Sequence, residues 1–217
     1  MLGDRNLKDI ILKTMDDIYH DLDSQIDKTN NRRLHVKEVV TCLRKSYYDR
    51  RHPLLPTSHQ KVSSMISDGM RKSIKNGSTA EYSIDSELSL VGRADTMADD
   101  IVVKFEIVNK LPKTPNPKDL LNLNATMWIF DKMEGIVVYM TNDGKSVEFA
   151  FFKDKRMFEE TVRRARVFNT LLKDGKVPIL EPSETCLTCP YYERCYIQQK
   201  KYSNLTLERL LGFKKEA

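Results

Sequence analysis

The cysteines constrain the fold of this chain more than any other residues. Three of the four lie close together near the C-terminus, Cys186, Cys189 and Cys195, with the spacing Cys-x2-Cys-x5-Cys. The fourth, Cys42, lies far upstream. A centre that used all four would therefore join the N-terminal part of the chain to its C-terminal end.

Thiolates are soft ligands, and four of them fit either Zn²⁺ or an iron–sulfur cluster. Zinc sites usually pair two short knuckles, whereas this chain has one knuckle, a third cysteine six positions on and one distant partner. This asymmetry favours a [4Fe–4S] cluster held by Cys42, Cys186, Cys189 and Cys195, and zinc stays the alternative. Separate thiols or disulfides are less favoured, because clustered cysteines without a secretory leader usually bind metal.

Length and charge bound the class of protein. The 217 residues predict one domain with at most a small appendage, which is long enough for a hydrophobic core. The first residues lack the apolar region of a signal peptide, and no apolar run reaches membrane-spanning length, so we expect a cytoplasmic protein without a membrane partner. A net charge of +5 permits a nucleic-acid partner but does not demonstrate one.

Hydrophobic periodicity predicts an α/β fold, a mixed sheet flanked by helices. The helices alternate with pairs of strands, and Asn142-Asp143-Gly144 predicts a hairpin. The helices are predicted over 4–27, 36–49, 57–77, 117–133 and 154–173, and the strands over 80–91, 100–108, 135–141 and 146–152.

A second group of polar residues lies in the central strands. Asp95 follows a strand and a turn, and Glu106 lies in the next strand, where alternation places Lys104 on the same face. Two carboxylates and a lysine at the edge of a sheet can bind one or two Mg²⁺ or Mn²⁺ ions, activate a water and stabilise a phosphoryl transition state. The spacing alone is a weak signal, and a solvated edge with ordinary ion pairs is the alternative.

Taken in order, these motifs resemble a known family. The stretch from Val36 to Tyr48, the Gly-Arg-Ala-Asp ending at Asp95, the strand with Glu106 and the terminal Cys-x2-Cys-Pro-x4-Cys resemble the CRISPR-associated iron–sulfur exonucleases. These are RecB-like members of the PD-(D/E)XK nuclease superfamily, and the resemblance covers most of residues 34–200.

The resemblance implies a RecB-like nuclease core with a C-terminal [4Fe–4S] region. We therefore expect residues 34–180 to form the nuclease domain and residues 181–217 an iron–sulfur region that packs back on Cys42, while helical periodicity predicts an N-terminal helix within residues 1–33. The resemblance implies Mg²⁺- or Mn²⁺-dependent cleavage of single-stranded DNA, commonly 5′→3′. It also implies a role in CRISPR adaptation and antiviral defence beside a CRISPR integrase; the oligomeric state stays open.

Three motifs depart from the family pattern. The family's catalytic lysine lies two residues after the glutamate, where this chain has Val108, and its histidine four residues after a helix glycine, where this chain has Ser73. A Gln-x3-Tyr motif corresponds here to Asn124 and Trp128. Both carboxylates are kept, while three supporting positions are changed.

Two interpretations follow. In the first, the lysine has migrated to Lys104, with Lys110 a further candidate, and the metal-dependent nuclease functions. In the second, the nuclease is degenerate and the fold survives as a DNA-binding or scaffold protein. Retained metal-dependent activity is the main hypothesis.

Two basic stretches are candidates for DNA contacts. The run from Arg44 to Tyr48 can bind phosphates and stack bases, or its tyrosines can pack inside the fold. Arg163, Arg164 and Arg166 can flank a DNA groove, although a solvated helix face is the simpler interpretation. For Trp128 a core position is favoured over a base-stacking surface.

Overall fold

A computed structural model describes residues 13–19, 28–74 and 77–196. The chain divides into two compact units, Met1–Val177 and Pro178–Ala217. Residues 13–19 are helical, as predicted, while the rest of the predicted helix over 4–27 lies outside the described residues. The domain boundaries at 33/34 and 180/181 stay predictions.

Besides the helical residues 13–19, the described part of the first unit contains five helices and seven strands. The helices are α1 Val36–Val40, α2 Leu43–Arg51, α3 Ser58–Ser73, α4 Pro117–Ile129 and α5 Lys155–Asp174. The strands are β1 Arg33–His35, β2 Ser78–Asp85, β3 Leu88–Ala94, β4 Thr96–Ala98, β5 Ile101–Ile107, β6 Glu134–Met140 and β7 Ser146–Phe152.

The strands form two mixed sheets rather than one. The first has the order β1-β3-β2, with β1 parallel and β2 antiparallel to β3. The second has the order β4-β5-β6-β7, in which only β5 and β6 run parallel. The predicted α/β class, with mixed strand pairing and flanking helices, is confirmed, while the expectation of a single sheet is wrong.

Helix α4 covers one face of the four-stranded sheet. Side chains from β5 and β6 alternate toward it, and Val102 and Val137 join Leu123 and Met127 in a fully buried cluster. A Cβ at Gly135 would lie 2.8 Å from Leu123 Cδ1, so the helix lies directly on β6. This packing places the first turn of α4 over the C-terminal ends of β5 and β6.

Two predicted elements are wrong in their bounds. The helix expected over 36–49 is broken at Thr41 and Cys42, because Thr41 has extended backbone and Cys42 is the N-cap of α2. The strand expected over 80–91 is two antiparallel strands, since Asp85 Oδ1 accepts the N–H of Glu87 and forms a tight turn.

Local chemistry explains the elements that were predicted well. Pro117 begins α4 behind the N-cap Asn116, whose side chain accepts the N–H of Lys118. Helix α5 begins behind Asp154, whose side chain accepts the N–H of Met157, and ends at Gly175 with a φ of 65°.

In the second unit the described residues include a 3₁₀ helix, Glu184–Thr188, followed by the buried side chains of Tyr191 and Cys195. Across the described ranges, no helix has the length and apolar character needed to cross a membrane.

Candidate functional site

Asp95 lies at the bend where the chain leaves β3 and enters β4. Its side chain is only 2% exposed, and its Oδ2 accepts the backbone N–H of Phe105 at 2.9 Å. The guanidinium of Arg93 lies 4.0 Å from Oδ1. The carboxylate is therefore fixed against β5, beside the residue that precedes Glu106.

Lys104 is buried on the same stretch of β5. Its Nζ donates to the carbonyl oxygen of Arg93 at 2.8 Å, two residues before Asp95. Alternation places Lys104 and Glu106 on the face covered by α4. The fold thus brings the ammonium group to the backbone of β3, two residues before Asp95, and the migrated-lysine interpretation stays a prediction.

Glu106 lies opposite Tyr139 in the parallel pair of β5 and β6. The Tyr139 hydroxyl donates to Asp119 Oδ2 at 2.8 Å and accepts the N–H of Asn116 at 2.9 Å. Burial raises the pKa of Tyr139 above its usual range; the hydrogen bond to Asp119 and the charge of Glu106 raise it further, while the Asn116 N–H acts in the opposite direction.

Asp119 and Tyr139 were missed in the sequence. Asp119 occupies the first turn of α4, and Tyr139 belongs to an inward-facing strand position. An acid at the start of a helix is normally explained by the helix dipole, and a strand tyrosine by the core. Only the packing of α4 on β6 shows that both lie near Glu106.

The positions that depart from the family pattern have ordinary structural surroundings. Val108 packs against the buried core, and its N–H donates to Met140 O at 2.8 Å. Ser73 is exposed and donates to Gly69 O, while Lys110 is exposed beyond β5. Gly77, directly before β2, lies close to Asp95, because a Cβ at Gly77 would lie 3.0 Å from the Asp95 carbonyl oxygen.

Asn124 and Trp128 together hold the backbone of Asp154. Asn124 exchanges two hydrogen bonds with it, at 2.7 and 2.9 Å, and Trp128 Nε1 donates to its carbonyl oxygen at 3.1 Å. Trp128 stacks on Phe158 and lies under Lys153 Nζ. The contacts of this pair therefore fix the start of α5.

The basic-aromatic run packs inside the fold. Arg44, Tyr47 and Tyr48 are buried, and the Tyr47 hydroxyl donates to Gly175 O at 2.9 Å. Lys45 pairs with Asp49 one turn along the same helix. The packing interpretation therefore applies to the tyrosines and to Arg44.

The three arginines of α5, Arg163, Arg164 and Arg166, have two different kinds of surroundings. Arg164 donates to Val39 O and Thr41 O, both at 2.8 Å, and so fixes the bend that carries Cys42. Arg163 and Arg166 remain on the surface.

The cysteines have different surroundings. Cys195 is buried, Cys42, Cys186 and Cys189 are half-buried, and none of the four forms a disulfide. The N–H of Ser183 donates to Cys186 Sγ at 3.4 Å and holds the pKa of that thiol below its ordinary value, since it stabilises the thiolate.

The described residues contain no group of three or more His, Cys, Asp or Glu side chains placed to hold a metal ion. The [4Fe–4S] cluster on the four cysteines and its zinc alternative stay predictions. The Asp95 and Glu106 pair is a different case, because Mg²⁺ is commonly bound through one or two carboxylates and completes its shell with water and phosphate.

No known family model matches this chain, and no curated protein does. Among solved structures, SSO0001 superimposes with a TM-score of 0.64 at 19% identity, over 86% of this chain and 96% of that one.

The alkaline exonuclease LHK-Exo of Laribacter hongkongensis gives a TM-score of 0.43 at 11% identity, over 80% and 96% of the two chains. Its complex with dAMP gives 0.43 at 9% identity, over 81% and 97%. The likeness to the exonuclease is too distant to support an argument. The likeness to SSO0001 shows that the two chains share a fold.

Proposed function

We propose that this protein is a Mg²⁺- or Mn²⁺-dependent DNA nuclease in which Asp95 and Glu106 bind the metal. The supporting observation is the 2.9 Å hydrogen bond from Phe105 N–H to Asp95, which holds one carboxylate beside the residue preceding Glu106. Two carboxylates are sufficient protein ligands for Mg²⁺ when substrate phosphate and water complete the shell.

Each residue has a defined part in this proposal. A bound ion supplies an activated water and stabilises charge on the phosphoryl group. Lys104 is buried and already anchored on Arg93 O, so its ammonium group lies in a low-dielectric environment where it stabilises negative charge more strongly than in water. Tyr139 stays neutral because its hydroxyl keeps its proton and donates it in the hydrogen bond to Asp119, so it adds no charge beside Glu106.

Single-stranded DNA is the proposed substrate, and a CRISPR integrase complex in antiviral defence is the proposed context. The sequence resemblance supports both. A [4Fe–4S] cluster on Cys42, Cys186, Cys189 and Cys195 is proposed from the spacing, with the lowered pKa of Cys186 in its favour. Such a cluster has a structural part here and enters no step of the cleavage reaction.

Cleavage of an end-labelled single strand by anaerobically purified protein tests the proposal. We expect cleavage with Mn²⁺ or Mg²⁺, none with chelator, and none from Asp95→Asn, a variant that keeps the shape of the side chain. Wild-type protein that holds its iron–sulfur cluster but fails to cleave with every divalent ion tested contradicts the proposal.

The second candidate function is a DNA-binding or scaffold protein that has lost catalysis. The position of Val108 favours it, because an apolar side chain packed against the core replaces the lysine expected there. Val108→Lys distinguishes the two: revived cleavage in an otherwise inactive protein indicates a degenerate site, while little gain in an active protein indicates that Lys104 supplies the charge. In a degenerate site, adding Ser73→His to Val108→Lys should revive cleavage further.

A further inference from the structure

An open groove of about 520 Å³ lies between α5 and β2. Strand β2, at the edge of the three-stranded sheet, contributes Tyr82, the end of α4 contributes Trp128, and one face of α5 contributes the rest of the lining. The residues on α5 recur at spacings of three and four, so they lie along one stripe of the helix. The groove is lined by Tyr82, Trp128, Lys155, Phe158, Glu159, Val162, Arg163, Arg166 and Val167.

The groove is separate from the carboxylate site. Trp128 lies at the C-terminal end of α4, nine residues after Asp119. At a rise of about 1.5 Å per residue, the two ends of the helix are roughly 13 Å apart along its axis. A ligand in the groove therefore does not occupy the positions of Asp119 and Tyr139.

The charged residues of the groove are predominantly cationic. Three cations and one carboxylate, Glu159, line it. Lys155, Arg163 and Arg166 are 77%, 65% and 60% exposed. The pairs of Lys155 with Glu159 and of Arg166 with Asp85 are long, at 3.7 and 4.0 Å, and surface pairs of this kind contribute little to stability. Arg163 makes two 2.7 Å hydrogen bonds to Glu160, and a phosphate that binds Arg163 replaces one bidentate anion with another.

The floor of the groove is apolar and aromatic. Tyr82 is 39% exposed and packs edge-to-face on Phe158, with ring centroids 5.2 Å apart. Trp128 is not itself a stacking surface, because Phe158 and Lys153 Nζ engage its ring. Tyr82 is thus the ring available to a ligand, held in orientation by Phe158.

We propose that this groove binds one strand of nucleic acid, with Arg163 and Arg166 on phosphates and a base against Tyr82. Exposed cations along an apolar, aromatic floor are what single strands require, since bases stack while phosphates pair. This binding site is additional to the cleavage site. It rests on the proposed function in one respect, namely that the ligand is a nucleic acid. The groove anchors a strand away from the carboxylates.

Fluorescence anisotropy with a labelled oligothymidine of about 20 nucleotides, in chelator and over a range of salt, tests the groove. We expect Arg163→Gln with Arg166→Gln to weaken binding about 10-fold at low salt and to lower the salt slope by about 1.4, or about 0.7 for each lost phosphate contact. Tyr82→Ser should weaken binding about 5- to 100-fold without changing the slope, and Tyr82→Phe should bind like wild type.

The matched control is Lys145→Gln with Lys176→Gln. These exposed lysines also pair with nearby aspartates, and the change in net charge is the same. If both double variants bind oligothymidine equally more weakly than wild type and unfold at the same temperature, a general charge effect explains the binding and the groove proposal is wrong. A second outcome also contradicts the nucleic-acid groove. In it, the Arg163 and Arg166 variant loses binding of a polyglutamate peptide but keeps binding of oligothymidine.

The outcome for the groove is distinguishable from the outcome for catalysis. A wild-type protein that binds the strand through Arg163 and Arg166 but never cleaves it supports the groove and contradicts the nuclease. If cleavage depends on Asp95 but the Arg163 and Arg166 variant binds the strand as the Lys145 and Lys176 control does, only the groove proposal is contradicted.

Discussion

The carboxylate site and the cysteine segment are built differently. Asp95 and Lys104 are buried and held by hydrogen bonds to strand backbone. Cys186 lies in a five-residue 3₁₀ helix whose side chains are at least partly exposed, and it contacts Ser183 and Tyr196 within the same C-terminal unit. A buried, hydrogen-bonded site keeps its geometry without a ligand, whereas a short exposed turn gains order when ligands are bound.

The largest expected effect belongs to the cysteine segment. If the wild type holds the proposed cluster, Cys195→Ala should lose the iron and the brown colour that a cluster gives, and should lower the melting temperature, since the free energy of metal binding contributes to the free energy of folding. Absorbance near 400 nm, about where thiolate-bound iron–sulfur centres absorb, and iron analysis measure it. A colourless wild type with stoichiometric zinc contradicts the cluster and supports the zinc alternative.

Asp95→Asn should produce the opposite pattern. We expect cleavage to fall by about 10³-fold or more, because a neutral amide replaces a hard anionic ligand, while iron content stays at the wild-type level. Cleavage rates and iron analysis on one preparation measure both quantities. Loss of iron in Asp95→Asn would show that the carboxylate site and the cysteine segment are coupled, and would contradict the view that they are independent.

Lys104→Met should have a smaller effect on cleavage. The variant keeps an unbranched side chain in the buried position but removes the charge, so we expect about a 10²-fold lower rate, comparable to the loss of one electrostatic stabiliser. Lys110→Met is the control, because Lys110 is exposed beyond β5 and should change the rate little. Equal rates for the two variants would show that Lys104 has no catalytic part.

The smallest expected effect is that of Tyr139→Phe. Because the pKa of Tyr139 is raised in the folded protein, the unfolded chain loses this proton first as the pH rises above about 10. The stability from this group is thus fully present below about pH 10 and falls above it. Tyr139→Phe should cost about 1–3 kcal/mol near neutrality, since it removes the donor to Asp119 and the acceptor for Asn116.

Urea unfolding between neutral pH and about pH 11 measures this effect. We expect the stability difference between wild type and Tyr139→Phe to narrow as the pH rises. Iron content should not change. A difference that is constant over this range shows that the Tyr139 proton is not linked to folding.

The sequence allowed much of the fold to be predicted where local chemistry is decisive. Pro117 behind Asn116 begins α4, and Gly175 ends α5, because capping depends on a few neighbouring residues. The bend at Cys42 was missed because its support comes from Arg164, far along the chain. Whether Arg44 and Trp128 contact DNA or pack inside the fold likewise depends on how far each side chain is buried, and no local sequence pattern shows that.

The candidate site divides in the same way. Asp95, Glu106 and Lys104 could be selected from strand alternation and motif order, because a period of two and a turn are properties of the chain itself. The hydrogen bond from Phe105 to Asp95, the place of Tyr139 between Asp119 and Asn116, and the groove between α5 and β2 depend on which elements pack together. Only the tertiary structure decided these, since such contacts join residues far apart in sequence and form only when the core is buried.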